Sequence, residues 1–448
     1  MLLARGQVVT GVSTDAARIE RWAREQGIPV GPVAALAQDL RTRPADHLLA
    51  ITHLQVLPAE VLALPRLGAV NFHDGPLPRH AGLRAPAFAL AEGDAEYGIT
   101  WHEITPAVDQ GRILLQVRFA LEPRETSLSL NARCFQAALE SFPQLVDGLL
   151  SGTLVPVEQD PTLRTYHGRH ARLAGAGVLC WNRSALELDR LVRALDFGPY
   201  PNPLGGARFL HGGTLAVVRH ATPVEAPPGV TPGTLLERTA AGITVAAREG
   251  AIRLEVLEDG NGNRIEPDAA FPTVAVGGVF EVHAEDSLQA MQQHAQQASR
   301  KEADWLARLR AAEPVALPFT PPARGGGTAS ARLVLPSAFQ ERFGADAPAA
   351  IASAFAALLQ RLGIARNLLA EAKGRRGLDA DRTARRLQRL CGSLGEREVD
   401  ELGPREALRE AVQATGPMAD LVSCQPELRE QAARRGGTLV PHVLALGG

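Results

Sequence analysis

Through the first 150 or so residues, short apolar runs alternate with stretches in which apolar positions return every three or four residues, the signature of strands alternating with helices. Runs at 7–12, 28–30, 48–57, 67–72, 97–104 and 113–119 read as strands, and 16–26, 34–43 and 128–150 read as helices. Thr14 or Asp15 stands where a side chain caps the first helix. The run 48–57 is apolar almost throughout, as a buried parallel strand is, and its carboxyl end opens into a loop. Alternation of this kind implies an α/β domain with a parallel sheet covered by helices, whose ligands lie outside the carboxyl ends of the strands.

The pattern changes near residue 160. After a helix with apolar positions on one face, within 180–197, come short strand-like runs at 207–210, 214–219, 234–236, 243–246 and 252–256, separated by Pro and Gly. Regularly spaced short strands predict a small antiparallel barrel. A polar amphipathic helix follows at 287–312, then a Pro/Gly-rich linker at 314–327, then a mostly helical remainder. The expected domains are therefore 1–160, 161–280, a helix and linker at 281–328, and a helical region at 329–448.

Composition adds limits. The chain has 448 residues, 45% of them hydrophobic, enough for several cores. No apolar run reaches membrane-spanning length, and the first residues lack the order of a signal peptide, so the cytoplasm is the expected compartment. Net charge is −2, with Arg interleaved among Asp and Glu as on a solvated surface. Nucleic-acid binding would leave a basic patch; the only locally basic stretch, 373–389, reads as a solvated helix face. Cys134, Cys180, Cys391 and Cys424 form no CxxC pair, which argues against a metal site or a disulfide framework. His167 and His170 have metal-like spacing without a third ligand nearby in sequence, and a structural loop role is expected.

The chemistry concentrates between residues 71 and 109. Asn71 and His73 alternate along one strand and so share one face. Asp109 lies in a Pro-containing loop between the next two strands. An amide, an imidazole and a carboxylate suit acyl transfer to an amine. The first two can stabilise an oxyanion, and the third can orient the imidazole or take the amine's proton. Spacing alone reads equally as a hydrogen-bonded strand-end pair. Pro76, Pro78 and Gly82 make the segment after His73 a stiff loop. His102 and Glu103 at a strand end read either as lining an acceptor pocket or as a packed pair.

The strings LPAEVLALPRLGAVNFHDGPLPRHAGLRAP and GITWHEITPAVDQGRILLQ resemble the catalytic domain of the folate-dependent formyltransferases. GTLLERTAAGITVAAREGAIRLEVLE resembles the carboxy-terminal domain of that family, a barrel of the oligonucleotide-binding type. Together the resemblance covers roughly residues 1–260. It implies a Rossmann-like formyltransferase domain with a parallel sheet, an OB-like barrel, and 10-formyl-tetrahydrofolate as co-substrate without a metal. It also implies Asn71, His73 and Asp109 as the active site, and Gln55, Val56, Leu57, Ile104 and Thr105 as pterin contacts. Asp74, Gly75 and His102 fall on the acceptor side; Asp74-Gly75-Pro76 departs from the family's usual residues there. Members begin with a further strand and helix, so the true start is expected upstream, or another segment fills that strand's place.

Segments after residue 300 resemble regions flanking domains of nonribosomal peptide synthetases, which points to a small or carrier-bound amine in natural-product or siderophore assembly and to a synthetase partner. Methionyl-tRNA formylation, hydrolysis of the formyl-folate and a noncatalytic folate-binding or docking role are the alternatives. Neither a membrane nor a nucleic acid is an expected partner.

Overall fold

The structure, a computed structural model, describes residues 1–212, 214–260, 262–302 and 307. The chain divides into two compact units, one of Met1–Glu258 with Arg264–Gln297 and one of Asp259–Asn263 with Ala298–Gly448. The first holds both of the larger sheets. The linker and helical region expected at 314–327 and 329–448, with their synthetase-like segments, lie outside the described residues.

In chain order the first half contains β1 (Val12–Ser13), α1 (Ala17–Glu25), β2 (Val30–Gly31), α2 (Leu36–Thr42), β3 (His47–Ile51), α3 (Ala59–Leu62) and β4 (Gly68–His73). β5 (Ala81–Gly82), α4 (Ala85–Glu92), β6 (Glu96–Glu103), β7 (Ile113–Ala120) and the 25-residue α5 (Ser127–Ser151) complete it. β1 and β2 form a separate parallel pair, and the main sheet runs β3-β4-β6-β7. Parallel pairing holds for β3–β4, whereas β6 runs antiparallel to both neighbours. The parallel expectation is thus met in part, since the short connection from β6 to β7 allows only a hairpin.

Local geometry moves several boundaries. The strand expected at 7–12 is confined to β1, preceded by a 3-10 turn at Leu3–Arg5 that Gly6 ends at φ 69°. Neither Thr14 nor Asp15 is the cap of α1; Ala16 holds that position, and the Thr14 hydroxyl accepts from the Ala16 N–H at 3.1 Å. The strand expected at 48–57 stops at Ile51, because Thr52 takes φ 55° and turns the chain out of the sheet.

Aromatic and β-branched residues explain why β4 and β6 lie at the centre. Val70, Phe72, Tyr97, Ile99 and Trp101 are buried, and the Trp101 indole packs 5.2 Å from Phe72 and 5.6 Å from Phe142. Its N–H donates to the Ser141 hydroxyl of α5 at 3.0 Å, which satisfies the one polar atom of the ring. α5 starts at Thr126, whose side chain forms a capping box with Ser129, and ends at Gly152 in the left-handed region. It covers the sheet with Leu130, Cys134, Leu145 and Val146.

The second half contains β8 (Tyr166–His167), α6 (Ala185–Ala194), β9 (Ala207–His211), β10 (Thr214–Val224), β11 (Leu235–Thr239), β12 (Gly242–Ala246), β13 (Ala251–Glu258), β14 (Arg264–Ile265) and α7 (Glu285–Ser299). The expected run of short antiparallel strands is present, in the order β11-β12-β13-β10-β9, with β14 on β13. Among the described residues no ladder joins β11 to β9, so the pairing does not close the barrel. α6 begins with a second capping box, Ser184 with Glu187. α6 packs on α4 and β10, so one core cluster runs from Val70 and Trp101 through Leu188 to Phe209, Leu254 and Phe280. No described helix is long and apolar enough to cross a membrane.

Trp101→Ala should lower stability by about 3–5 kcal/mol, because a buried indole is replaced by a cavity. Chemical denaturation followed by circular dichroism should show the corresponding drop in midpoint.

Candidate active site

The register of β4 against β6 assembles the site. Asn71 lies opposite His102 and His73 opposite Thr100, while Phe72 and Trp101 pair between them and point to the other face. Asn71 Nδ2 is 3.1 Å from His102 Nε2. The loop between β6 and β7 then carries Asp109 onto the same face. Its Oδ1 lies 3.5 Å from His102 Nε2 and its Oδ2 3.6 Å from His73 Nδ1. Asp109 Oδ2 also accepts from the backbone N–H of Gly82 at 2.7 Å. Asn71, His73 and Asp109 are therefore brought together, with His102 in the middle of the group.

Buried and half-buried hydrogen bonds hold this geometry. Asp109 sits at φ 52°, a conformation that costs about 1–3 kcal/mol and persists only where its surroundings enforce it. Gln159 donates to the backbone oxygens of Asp109 and Gly111 at 2.9 and 2.7 Å, and Arg164 donates to that of Val108 at 2.9 Å. Behind His73, the Thr100 hydroxyl donates to Gly75 O at 2.8 Å and accepts from Leu77 N–H, and Gln116 donates to Leu77 O. Thr165 Oγ1 accepts from His80 N–H at 2.7 Å. Sequence reasoning missed Thr100, Gln116, Gln159, Arg164 and Thr165, because they act on backbone groups that are distant along the chain. Thr100 alone carried a signal, standing two residues before His102 as Asn71 stands two before His73.

His73 is buried, with its Nε2 2.9 Å from the carbonyl oxygen of His80. A carbonyl only accepts, so Nε2 carries the hydrogen and Nδ1, in the neutral ring, turns its lone pair toward Asp109. A proton taken up at Nδ1 would meet that carboxylate. Gly75 makes the arrangement feasible: a Cβ there would lie 2.7 Å from His73 Nε2 and 3.2 Å from His80 O. Gly75, expected on the acceptor side, thus sits behind the imidazole. Asp74, expected beside it, lies just past the end of β4 and turns its carboxylate to α5. Asn131 of α5 donates to its carboxylate at 3.3 Å.

Charge follows from these surroundings. Burial works against ionisation of Asp109, but the imidazole of His102, the charge His73 can carry and the Gly82 N–H outweigh it and hold the carboxyl at about 2. Asp74 shifts the other way, raised by burial despite His73 beside it. Tyr97, whose hydroxyl donates to Asp74 O at 2.7 Å, is also raised, by burial and then by Asp74.

Of the residues expected to hold the pterin, Leu57 is buried with Leu40, Ala50 and Val61, and Ile104 packs on the same cluster. Gln55 and Val56 are exposed next to it, and Thr105 donates to Ala107 O at 3.0 Å. For metals, the tertiary structure brings His80 and the exposed Glu92 to His167, with ligand atoms within 4.8 Å of one another; His170 is not in the group. His80 Nε2 donates to Asp94 at 2.8 Å, which leaves Nδ1 to accept from His167 Nε2 at 3.2 Å. The His80–His167 bond ties β8 to the loop after β4, where β5 and β8 also pair.

Two measurements follow from this packing. Gly75→Ala should cut turnover by about 10²-fold or more, since a small misplacement of a reacting group is that costly; steady-state kinetics on folded protein would show it. Burial, then the charge that His80 and His73 can carry, hold His167 at about 4. Its unfolded value is about 6.5. Between those values the unfolded chain binds the extra proton, so stability falls as pH drops from about 6.5 to 4. His167→Gln should flatten that part of the melting-temperature profile.

Comparison with known proteins agrees with the architecture. The family described as Formyl transferase matches residues 32–146, and that described as Formyl transferase, C-terminal domain, matches residues 175–272. The methionyl-tRNA formyltransferase of Paraburkholderia xenovorans (strain LB400) is 32% identical over 288 residues, covering 61% of this chain and 86% of that protein. That of Stutzerimonas stutzeri (strain A1501) is 36% identical over 224 residues, covering 50% and 68%. Among solved structures, the sugar 3N-formyl transferase WlaRD aligns over 53% of this chain and 80% of its own, at 15% identity and a TM-score of 0.43. With both characteristic domains matched in order and relatives above 30% identity covered over most of their length, the chain belongs to the formyltransferase family.

Proposed function

We propose that this chain transfers the formyl group of 10-formyl-tetrahydrofolate to an amino group of a small or carrier-bound substrate. The observation that carries the reading is the convergence of Asn71, His73, His102 and Asp109 at the end of β4. In this reading Asn71 donates to the oxyanion that forms when the amine attacks the formyl carbon. His73 takes up the amine's proton at Nδ1 and returns it to the folate nitrogen as the bond from the formyl carbon to that nitrogen breaks, while Asp109, ionised at all but very low pH, faces the transient imidazolium. Leu57 and Ile104 share one apolar cluster, and the exposed Val56 and Leu54 stand beside Leu57 in the loop that follows β3, an apolar surface that suits a flat pterin.

Methionyl-tRNA as acceptor is the second reading, favoured by the activity for which the relatives are named. The small-substrate reading is supported by the pairing of many surface arginines with carboxylates. In the carboxy-terminal half Arg183 pairs with Glu285, Arg219 with Glu258, Arg248 with Glu187 and Arg253 with Glu255. Arginines engaged in this way are poorly placed to neutralise phosphates. A synthetase that presents the amine on a carrier remains part of the proposal, as does assembly in the cytoplasm.

Release of tetrahydrofolate, followed by absorbance with a panel of amino acids, hydroxyornithine, aminoacylated carriers and methionyl-tRNA, tests both readings. Release that depends on a small or carrier-bound amine is expected; dependence on methionyl-tRNA would replace it, and release without an amine would indicate a hydrolase. His73→Ala and Asp109→Ala should each reduce turnover by about 10²–10⁴-fold with the fold intact.

A further inference from the structure

We infer that His102 is a positioning residue that sets which end of the Asn71 amide is presented to the reacting carbonyl. The inference rests on the formyl-transfer reading above, in which Asn71 is an oxyanion donor.

The argument is one of donors and acceptors. His102 Nδ1 is 2.8 Å from the backbone oxygen of Glu103, which can only accept, so Nδ1 carries the ring hydrogen. In the neutral ring Nε2 is then a lone pair, and it faces Asn71 Nδ2 at 3.1 Å. One N–H of the amide is consumed there. The second N–H and Oδ1 are left in fixed positions for the substrate. A half-turn of the amide would set Oδ1 against the Nε2 lone pair, with no hydrogen between them, so the neutral ring excludes that orientation. The flipped amide would change what Asn71 presents to the developing oxyanion.

The surroundings hold the ring in this role. His102 is 2% exposed and stands directly opposite Asn71 in the β4–β6 ladder, so the two side chains lie side by side on one face of the sheet. On the β7 side the register shifts between Trp101 and His102, and the Glu103 N–H donates to Arg112 O at 2.9 Å. Asp109 Oδ1 lies farther from Nε2, at 3.5 Å, than Asn71 Nδ2 does at 3.1 Å, so the amide is the nearer partner of that ring nitrogen. His102 therefore acts through Asn71, and no contact of its own with the formyl group is required.

A double-mutant cycle tests this, with kcat and KM for 10-formyl-tetrahydrofolate measured separately. His102→Leu should lower kcat by about 10–10²-fold, below the full loss of an oxyanion donor, with KM changed by no more than about twofold. His102→Gln, whose Oε1 can accept the same N–H, should recover most of the lost rate. In the Asn71→Ala background His102→Leu should cost less than about twofold, since the group it positions is gone. An equal loss in both backgrounds, or a His102→Gln variant as slow as His102→Leu, would overturn the assignment. Long-range ¹H–¹⁵N correlation on the wild-type ring gives a second readout that needs no variant to fold: the Nδ1–H tautomer is expected, and an Nε2–H tautomer would overturn it. Absence of formyl transfer by the wild-type protein with every amine would remove the proposed function, while the ring tautomer would still decide the assignment of His102.

Discussion

Asn71 and His102 face each other across the antiparallel pairing of β4 with β6, and most of the site is arranged around that pairing. Because side chains alternate along both strands, the same register that sets the two polar residues on one face drives Phe72 and Trp101 into the core on the other. A slip by one residue would exchange the faces, exposing two large aromatic rings and burying two polar side chains without partners. The hydrophobic core and the polar site are thus specified by one ladder. Core packing enforces the register, and the register positions the chemistry.

What lies beyond the ladder is held by backbone-directed hydrogen bonds. The buried Thr100 and the half-buried Gln116, on adjacent strands, bind the turn at 75–77, and Gln159 and Arg164 bind the loop that carries Asp109. Each bond contributes modestly, about 0.5–1.5 kcal/mol, yet leaving one of these buried groups unpaired costs more. His80 joins the two systems: its backbone oxygen receives the His73 N–H, and its ring links Asp94 to His167. The polar cluster is preorganised in this sense, with its side chains set by partners that lie outside it.

The two halves of the described chain share one core. α4 is apolar on nearly every side and lies between α5 and α6, and α6 lies against β10 of the second sheet. Residues 160–170, which connect the halves, also supply Thr165 and His167 to the loop beside His73. The carboxy-terminal half is therefore coupled to the site through the segment that leads into it.

Much of this was legible in the sequence, because the readable parts are local. Strand and helix periods, the turn-forming Pro76, Pro78 and Gly82, and the two-residue spacing of Asn71 and His73 depend on neighbouring residues alone. The loop position of Asp109 was also legible, and the resemblance carried by the same stretch implied its place with Asn71 and His73. Parallel against antiparallel pairing was not legible, nor was the open ladder of the second sheet, since both depend on which strands meet in space. Neither was the part played by Gly75, whose missing Cβ matters only because His73 and His80 approach it from residues two and five away. His167 shows the division most clearly: its neighbours in sequence offered no partner, and β5–β8 pairing supplied His80. The sequence by itself determined which segments form strands and helices and which residue types stand at their ends, since propensity and periodicity act over a few residues. Only the tertiary structure decided which polar groups pair, which tautomers their rings adopt and which face each side chain serves, because hydrogen bonding and burial are settled between segments far apart in the chain.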